Sequence, residues 1–104
     1  MLDKIIKSAY GLEAITEYKF HPKRKWKMDF AIVDKKICIE IEGGVWMKKA
    51  RHTSGKGFIA DMEKYNTATA MGWRLIRIVP EDYSSALYFI ALILEEDKKS
   101  NSSF

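Results

Sequence analysis

Cysteine is nearly absent from the chain: Cys38 is the single one among 104 residues. No intramolecular disulfide can form, and a lone thiol inside an apolar run reads as core filling. Proline is almost as scarce, with two residues. Pro22 marks a turn and Pro80 stops a strand, so neither interrupts an element. Long hydrophobic runs are missing. The longest, from Ala86 to Leu94, is too short to cross a bilayer, and no membrane partner is expected. Lys4 and Lys7 break the N-terminal apolar stretch, which excludes a signal peptide. The expected location is therefore the cytoplasm, with the chain bacterial or phage-encoded. No internal repeat is visible. Charge of one sign does not dominate: 18 Lys and Arg against 14 Asp and Glu leave a net +4. That mildly basic balance is compatible with an acidic polymer as partner. At this length, with 47% apolar residues, the chain is expected to form one domain with a modest core.

What is present centres on residues 28–44. They read as two short strands joined by a tight turn at Asp34, Lys35 and Lys36. Asp29 opens the first strand. Glu40 and Glu42 fall near the end of the second, on one face, because side chains alternate along a strand. Ile37, Ile39 and Ile41 point the other way. Two glutamates on one face repel each other and favour no local packing. A divalent cation such as magnesium, which takes carboxylate oxygens, would remove that cost.

Around this hairpin the elements follow from periodicity. Leu2, Ile5, Ile6 and Tyr10 have helical spacing and Gly11 ends the helix. Residues 14–20 alternate as a strand. His21 to Lys27 form a basic loop carrying Trp26, read either as a grip on phosphates or as a solvated loop whose tryptophan packs down on the sheet. Residues 45–56 lack periodicity and read as a loop bordering the acids. Phe58, Met62, Tyr65 and Thr69 have helical spacing over 57–71, with Gly72 as C-cap. Residues 73–79 read as a strand. Residues 83–96 form a last helix, apolar all round, and 97–104 read as a frayed, charged, Ser-rich tail. The expected fold class is thus α/β in the α+β sense, in the order helix, three strands, helix, strand, helix.

Several of these stretches together resemble the PD-(D/E)xK nuclease superfamily. Asp29, followed by Glu40-Ile41-Glu42, is similar to its catalytic hairpin, with two departures: no proline precedes Asp29, and Glu42 stands where lysine is usual. Glu40-Ile41-Glu42-Gly43-Gly44 with Trp46, then His52, then Asp61 and Lys64 in a helix, then Gly72-Trp73-Arg74 and Arg77 in a strand, resembles the endonuclease-related branch. That branch includes very-short-patch mismatch-repair nucleases and phage endonucleases with an Arg-His-Thr loop. Phage relatives also resemble Glu17-Tyr18, Phe20-His21-Pro22.

The resemblance implies a restriction-endonuclease-like core, a mixed four-stranded sheet flanked by helices, and a metal-dependent endodeoxyribonuclease. The metal, Mg2+ or Mn2+, would be held by Asp29, Glu40 and the backbone carbonyl of Ile41. Glu42 could accept a proton from the attacking water or bind a second metal. Glu17 could complete the metal shell if its strand pairs beside the hairpin. His52 could act as general acid or touch the phosphate. Lys64 could supply the lysine that Glu42 replaces, or form a surface ion pair with Asp61. Arg74 and Arg77 lie on opposite strand faces, so only one can face DNA. Lys23, Arg24, Lys25, Lys27, Lys48, Lys49, Arg51 and Lys56 would form a basic rim that attracts the DNA backbone. A catalytically inactive nucleic-acid-binding module on the same fold is the alternative. The apolar 83–96 helix is expected to pack on the sheet with one face and on a second subunit with the other, giving a two-fold dimer; the first helix is the rival cover for that face.

Overall fold

Helix α1 spans Leu2–Tyr10 and stops at Gly11, whose φ of 69° and N–H bond to the Lys7 carbonyl close the last turn in the left-handed region that glycine enters freely. The chain then lays down β1, Ile15–Lys19, and β2, Lys27–Ile32, passes through one 3-10 turn, and continues as β3, Ile37–Ile41. Helix α2, Gly55–Ala70, leads to β4, Arg74–Ile78, and helix α3, Tyr83–Asn101, follows. This computed structural model describes residues 1–43 and 55–101.

The fold is α+β, with the element order expected from the sequence. Its four strands lie in the order β1-β2-β3-β4. β1 and β2 are antiparallel, as are β2 and β3, whereas β3 and β4 run parallel. A parallel neighbour requires a crossover, and α2 lies within that connection. The arrangement is compatible with the restriction-endonuclease-like core.

Helices cover the sheet on both sides. On one face Ile32, Ile37, Ile39, Ile76 and Ile78 pack with Leu2 and Ile6 of α1 and Ala86 and Ile90 of α3. Burying one such isoleucine is worth about 1.5–3 kcal/mol. On the other face Cys38, Ala31, Phe20, Met28 and Trp73 pack with Ala68 near the end of α2. Strand β3 is therefore an interior strand, enclosed from both sides. Cys38 is wholly buried, as its composition suggested, and burial and then the Glu40 charge push its thiol up to about 12. It stays protonated and inert.

Three differences from the sequence reading stand out. Helix α3 does not end at 96 but continues to Asn101. Arg74 forks onto the Asp97 carboxylate at 2.7 and 3.0 Å, and Lys98 and Lys99 favour the negative end of the helix dipole. The supposed frayed tail is thus helical as far as Asn101. The second is a detail of α2, a helix as expected, which begins at Gly55: Phe58 and Met62 are about half exposed, because the helix packs on the sheet through Ala68. The third is the turn between β2 and β3, which starts one residue early, at Val33, and leaves Lys36 left-handed with φ 54°.

Candidate metal and phosphate site

Glu40 is the one buried charged residue among the described residues, at 6% exposure. Its position follows from alternation. Ile37 and Ile39 face the α1–α3 side, so Cys38 and Glu40 face the α2 side. The 2.6 Å ion pair between Lys64 Nζ of α2 and Glu40 Oε1 ties helix to strand there, with both side chains largely withdrawn from solvent. Asp29 arrives from β2. Its Oδ2 accepts the Ile41 N–H at 2.7 Å, which fixes the carboxylate against the end of β3.

Asp29, Glu40, Glu42, Ile41, Lys27, Lys64 and Tyr65 line a cavity of about 250 Å3. Its electrostatics are those of crowded acids. Burial is the main force raising the Glu40 carboxyl from 4.5 to about 7; the Lys64 ammonium pulls it down and Asp29 pushes it up. In its neutral form Glu40 can donate a hydrogen bond to Asp29. The Lys64 ammonium offsets part of the cost of burial when the Glu40 carboxylate is charged. Tyr65 is raised as well, first by burial and then by Glu40 and Glu42, so its phenol remains a donor.

Glu42 has a different partner. Arg77 Nε donates to Glu42 Oε1 at 2.6 Å, and the guanidinium lies 5.4 Å from the Tyr65 ring centroid. The strand register makes this possible: Glu40 and Arg77 are cross-strand partners in the β3–β4 pair. Arg74, on the opposite face, is taken by Asp97 and the Lys35 carbonyl. Each of the two arginines has thus found an acid.

Glu17 stands next to this centre. Thr16 pairs with Phe30 and Tyr18 with Met28, so Glu17 and Asp29 are the intervening residues of the two strands. The backbone of Glu17 is left-handed, with φ 51°, a conformation costly for a residue with a side chain. Glu17, Thr16, Asp29, Phe30 and Ile41 border a second hollow of about 440 Å3. Asp29 and Ile41 belong to both cavities.

The basic loop divides. His21 Nδ1 accepts the Lys23 and Arg24 N–H groups at 3.1 and 2.9 Å, which closes the turn after Pro22. Trp26 stacks on Phe20 at 6.0 Å, so the tryptophan packs down as one reading held. Arg24 lies 3.9 Å over the Trp26 ring and pairs with Glu63. Lys23 and Lys25 are exposed, as is Lys56 at the start of α2. Lys27 is exposed as well and also lines the acid cavity. Lys48, Lys49, Arg51 and His52 lie outside the described residues.

Sequence reasoning placed Tyr65 only by its helical spacing and gave Arg77 no named partner. The acid two positions beyond a cross-strand neighbour was the signal for Arg77, readable once β3 and β4 are taken as adjacent. A larger groove, about 580 Å3 between β4 and α3, is elsewhere and mostly apolar; it lacks the convergent acids that make the smaller cavity chemically distinctive.

Among the described residues no three His, Cys, Asp or Glu side chains form a closed metal cage. What converges is the pair Asp29 and Glu40. Magnesium is commonly held by one or two carboxylates, with water and substrate phosphate completing the shell, so an open pair beside a lysine suits it. No protein-family model, curated protein or solved structure matches the chain.

Proposed function

We propose that this chain is a magnesium-dependent DNA endonuclease of the PD-(D/E)xK kind. The observation that carries the reading is the convergence of Asp29, Glu40 and Lys64 from two strands and a helix in one polar cavity. A phosphodiester is anionic and resists attack, so its hydrolysis needs acids that hold a metal cation and a positively charged group that meets the phosphate. When bound, Mg2+ or Mn2+ supplies charge neutralisation and lowers the pKa of water. Asp29 and Glu40 would hold the ion, with the Ile41 carbonyl beside them. Lys64 fills the role of the lysine displaced by Glu42. Its ammonium, now on Glu40, would pass to a phosphate oxygen as the ion takes over the carboxylate. Glu17 borders Asp29 and is the further acid available to the shell. His52 would serve as general acid, and the exposed lysines of the loop after β1 would meet the DNA backbone.

A second reading is favoured by the same ion pair. Lys64 already neutralises Glu40, so the cavity can persist without a metal, as in an inactive nucleic-acid-binding module. Supercoiled plasmid incubated with Mg2+ or with EDTA separates the two. Nicking or linearisation in Mg2+ alone, lost in Asp29→Ala, supports the enzyme. Binding without cleavage in any divalent ion supports the module.

The chain also presents a surface for a second copy. Tyr88, Phe89 and Leu92 of α3 are 59, 46 and 44% exposed. Helix α1 covers another part of α3, with Tyr10 Oη donating to the Leu87 carbonyl at 2.9 Å. A homodimer through the uncovered face would carry two cavities, one per subunit. Sedimentation at micromolar concentration tests it, and a monomeric mass removes it. No helix among the described residues is long and apolar enough to cross a membrane.

A further inference from the structure

We infer that Arg77 is a positioning residue that holds Glu42 out of the metal shell, so that the cavity takes one divalent cation and not two. The inference rests on the metal-dependent reading above. Three carboxylates line the cavity, Asp29, Glu40 and Glu42, and three acids can serve two ions. Their fixings differ. Asp29 is oriented by a backbone N–H, and Glu40 is held by the ammonium of Lys64, which a cation entering between the two acids would replace. Glu42 is held by a side-chain cation at 2.6 Å.

That cation is built into the sheet. Arg77 is the β4 partner of Glu40, so its side chain rises on the same face and reaches one step along β3 to Glu42. Tyr65 flanks the guanidinium at 5.4 Å. The Glu42 N–H donates to the Ile78 carbonyl at 2.8 Å, which fixes the glutamate's backbone against the same strand. A guanidinium stays charged throughout the working pH range. A second divalent ion at Glu42 would therefore have to displace Arg77 or sit beside a permanent positive charge. Lys64 differs because it is a flexible ammonium on a separate helix, able to move from Glu40 to another anion.

The test is a count of bound Mn2+ by paramagnetic resonance of the free ion, on the full chain at neutral pH. Arg77 is more than half exposed, so Arg77→Gln is expected to keep the fold, checked by circular dichroism. Wild type is expected to bind one Mn2+ per chain, Arg77→Gln to bind two, and Arg77→Gln with Glu42→Gln to return to one. A count of one in Arg77→Gln, or two in wild type, overturns the inference and leaves the metal site standing. A second ion that persists in the double variant also overturns it, because that ion is not on Glu42. No bound ion in wild type removes the metal reading and this inference with it.

Discussion

Glu40→Gln perturbs the centre of the cavity while changing its shape little, and its effect should depend on pH in a calculable way. The folded protein raises the Glu40 carboxyl from 4.5 to about 7. The folded form therefore binds the proton more tightly than the unfolded chain. The associated stability is fully present below about pH 4.5 and is lost as pH rises through about 7. At about 1.4 kcal/mol per pH unit, the full loss is on the order of 3 kcal/mol, most of it between about pH 5 and pH 8. Glutamine removes the titration. It also leaves Lys64 without its carboxylate, a cost that is nearly the same at both pH values because a lysine stays charged over that range. Urea unfolding of both proteins at the two pH values isolates the difference. Glu40→Gln should gain on the order of 3 kcal/mol on wild type between about pH 5 and pH 8, equivalent to a relative rise in Tm on the order of 10 °C. Mg2+ at the upper pH should stabilise wild type and leave the variant unchanged, since a ligand stabilises only the form that binds it. Parallel pH profiles for the two proteins would refute the reasoning.

Other outcomes follow from the same geometry. Lys64→Met should reduce the cleavage rate on the order of 10²-fold or more while DNA affinity measured in Ca2+ changes little, because the lysine is assigned to the reacting phosphate and not to general attraction; equal losses in rate and affinity would return it to the rim. Replacing Lys23 and Lys25 with glutamine should flatten the dependence of log affinity on log salt by roughly two units, whereas Arg24→Gln should act mainly on stability, through Trp26 and Glu63. Glu17→Gly should raise stability by up to about 1 kcal/mol by relieving a left-handed backbone, offset by the entropy of glycine, and should lower cleavage; thermal melts alongside Glu17→Gln, which keeps the strain, separate the two effects.

Much of the architecture was legible because period and punctuation agreed. Gly11 and Gly72 end helices where their left-handed φ values are required, and the isoleucine alternation of β3 gave both its faces. The end of α3 was less legible. Residues after Glu96 look like a solvated tail locally, and only the fork of Arg74 onto Asp97 shows why the helix continues. The spacing in α2 made the helix legible but not which of its residues the sheet covers. Helical spacing records which residues share a face, not how far along its length the helix stays on the sheet. In the candidate site, Asp29 and Glu40 were readable from strand parity, and the Lys64 alternative from its place in a helix after the hairpin. Arg77 and Tyr65 were not, because their roles arise from the parallel pairing of β3 with β4 and from α2 crossing above it. Such contacts link residues far apart in the chain, and local pattern does not encode them.

The central claim is that Asp29 and Glu40 hold a divalent ion as Lys64 gives way. A crystal of the protein soaked in Mn2+ at neutral pH, with anomalous differences measured at the manganese edge, tests this most directly. The expected result is a peak between the Asp29 and Glu40 carboxylates, beside the Ile41 carbonyl, with the Lys64 ammonium moved off Glu40. An empty cavity with Lys64 still 2.6 Å from Glu40 in the soaked crystal would contradict it.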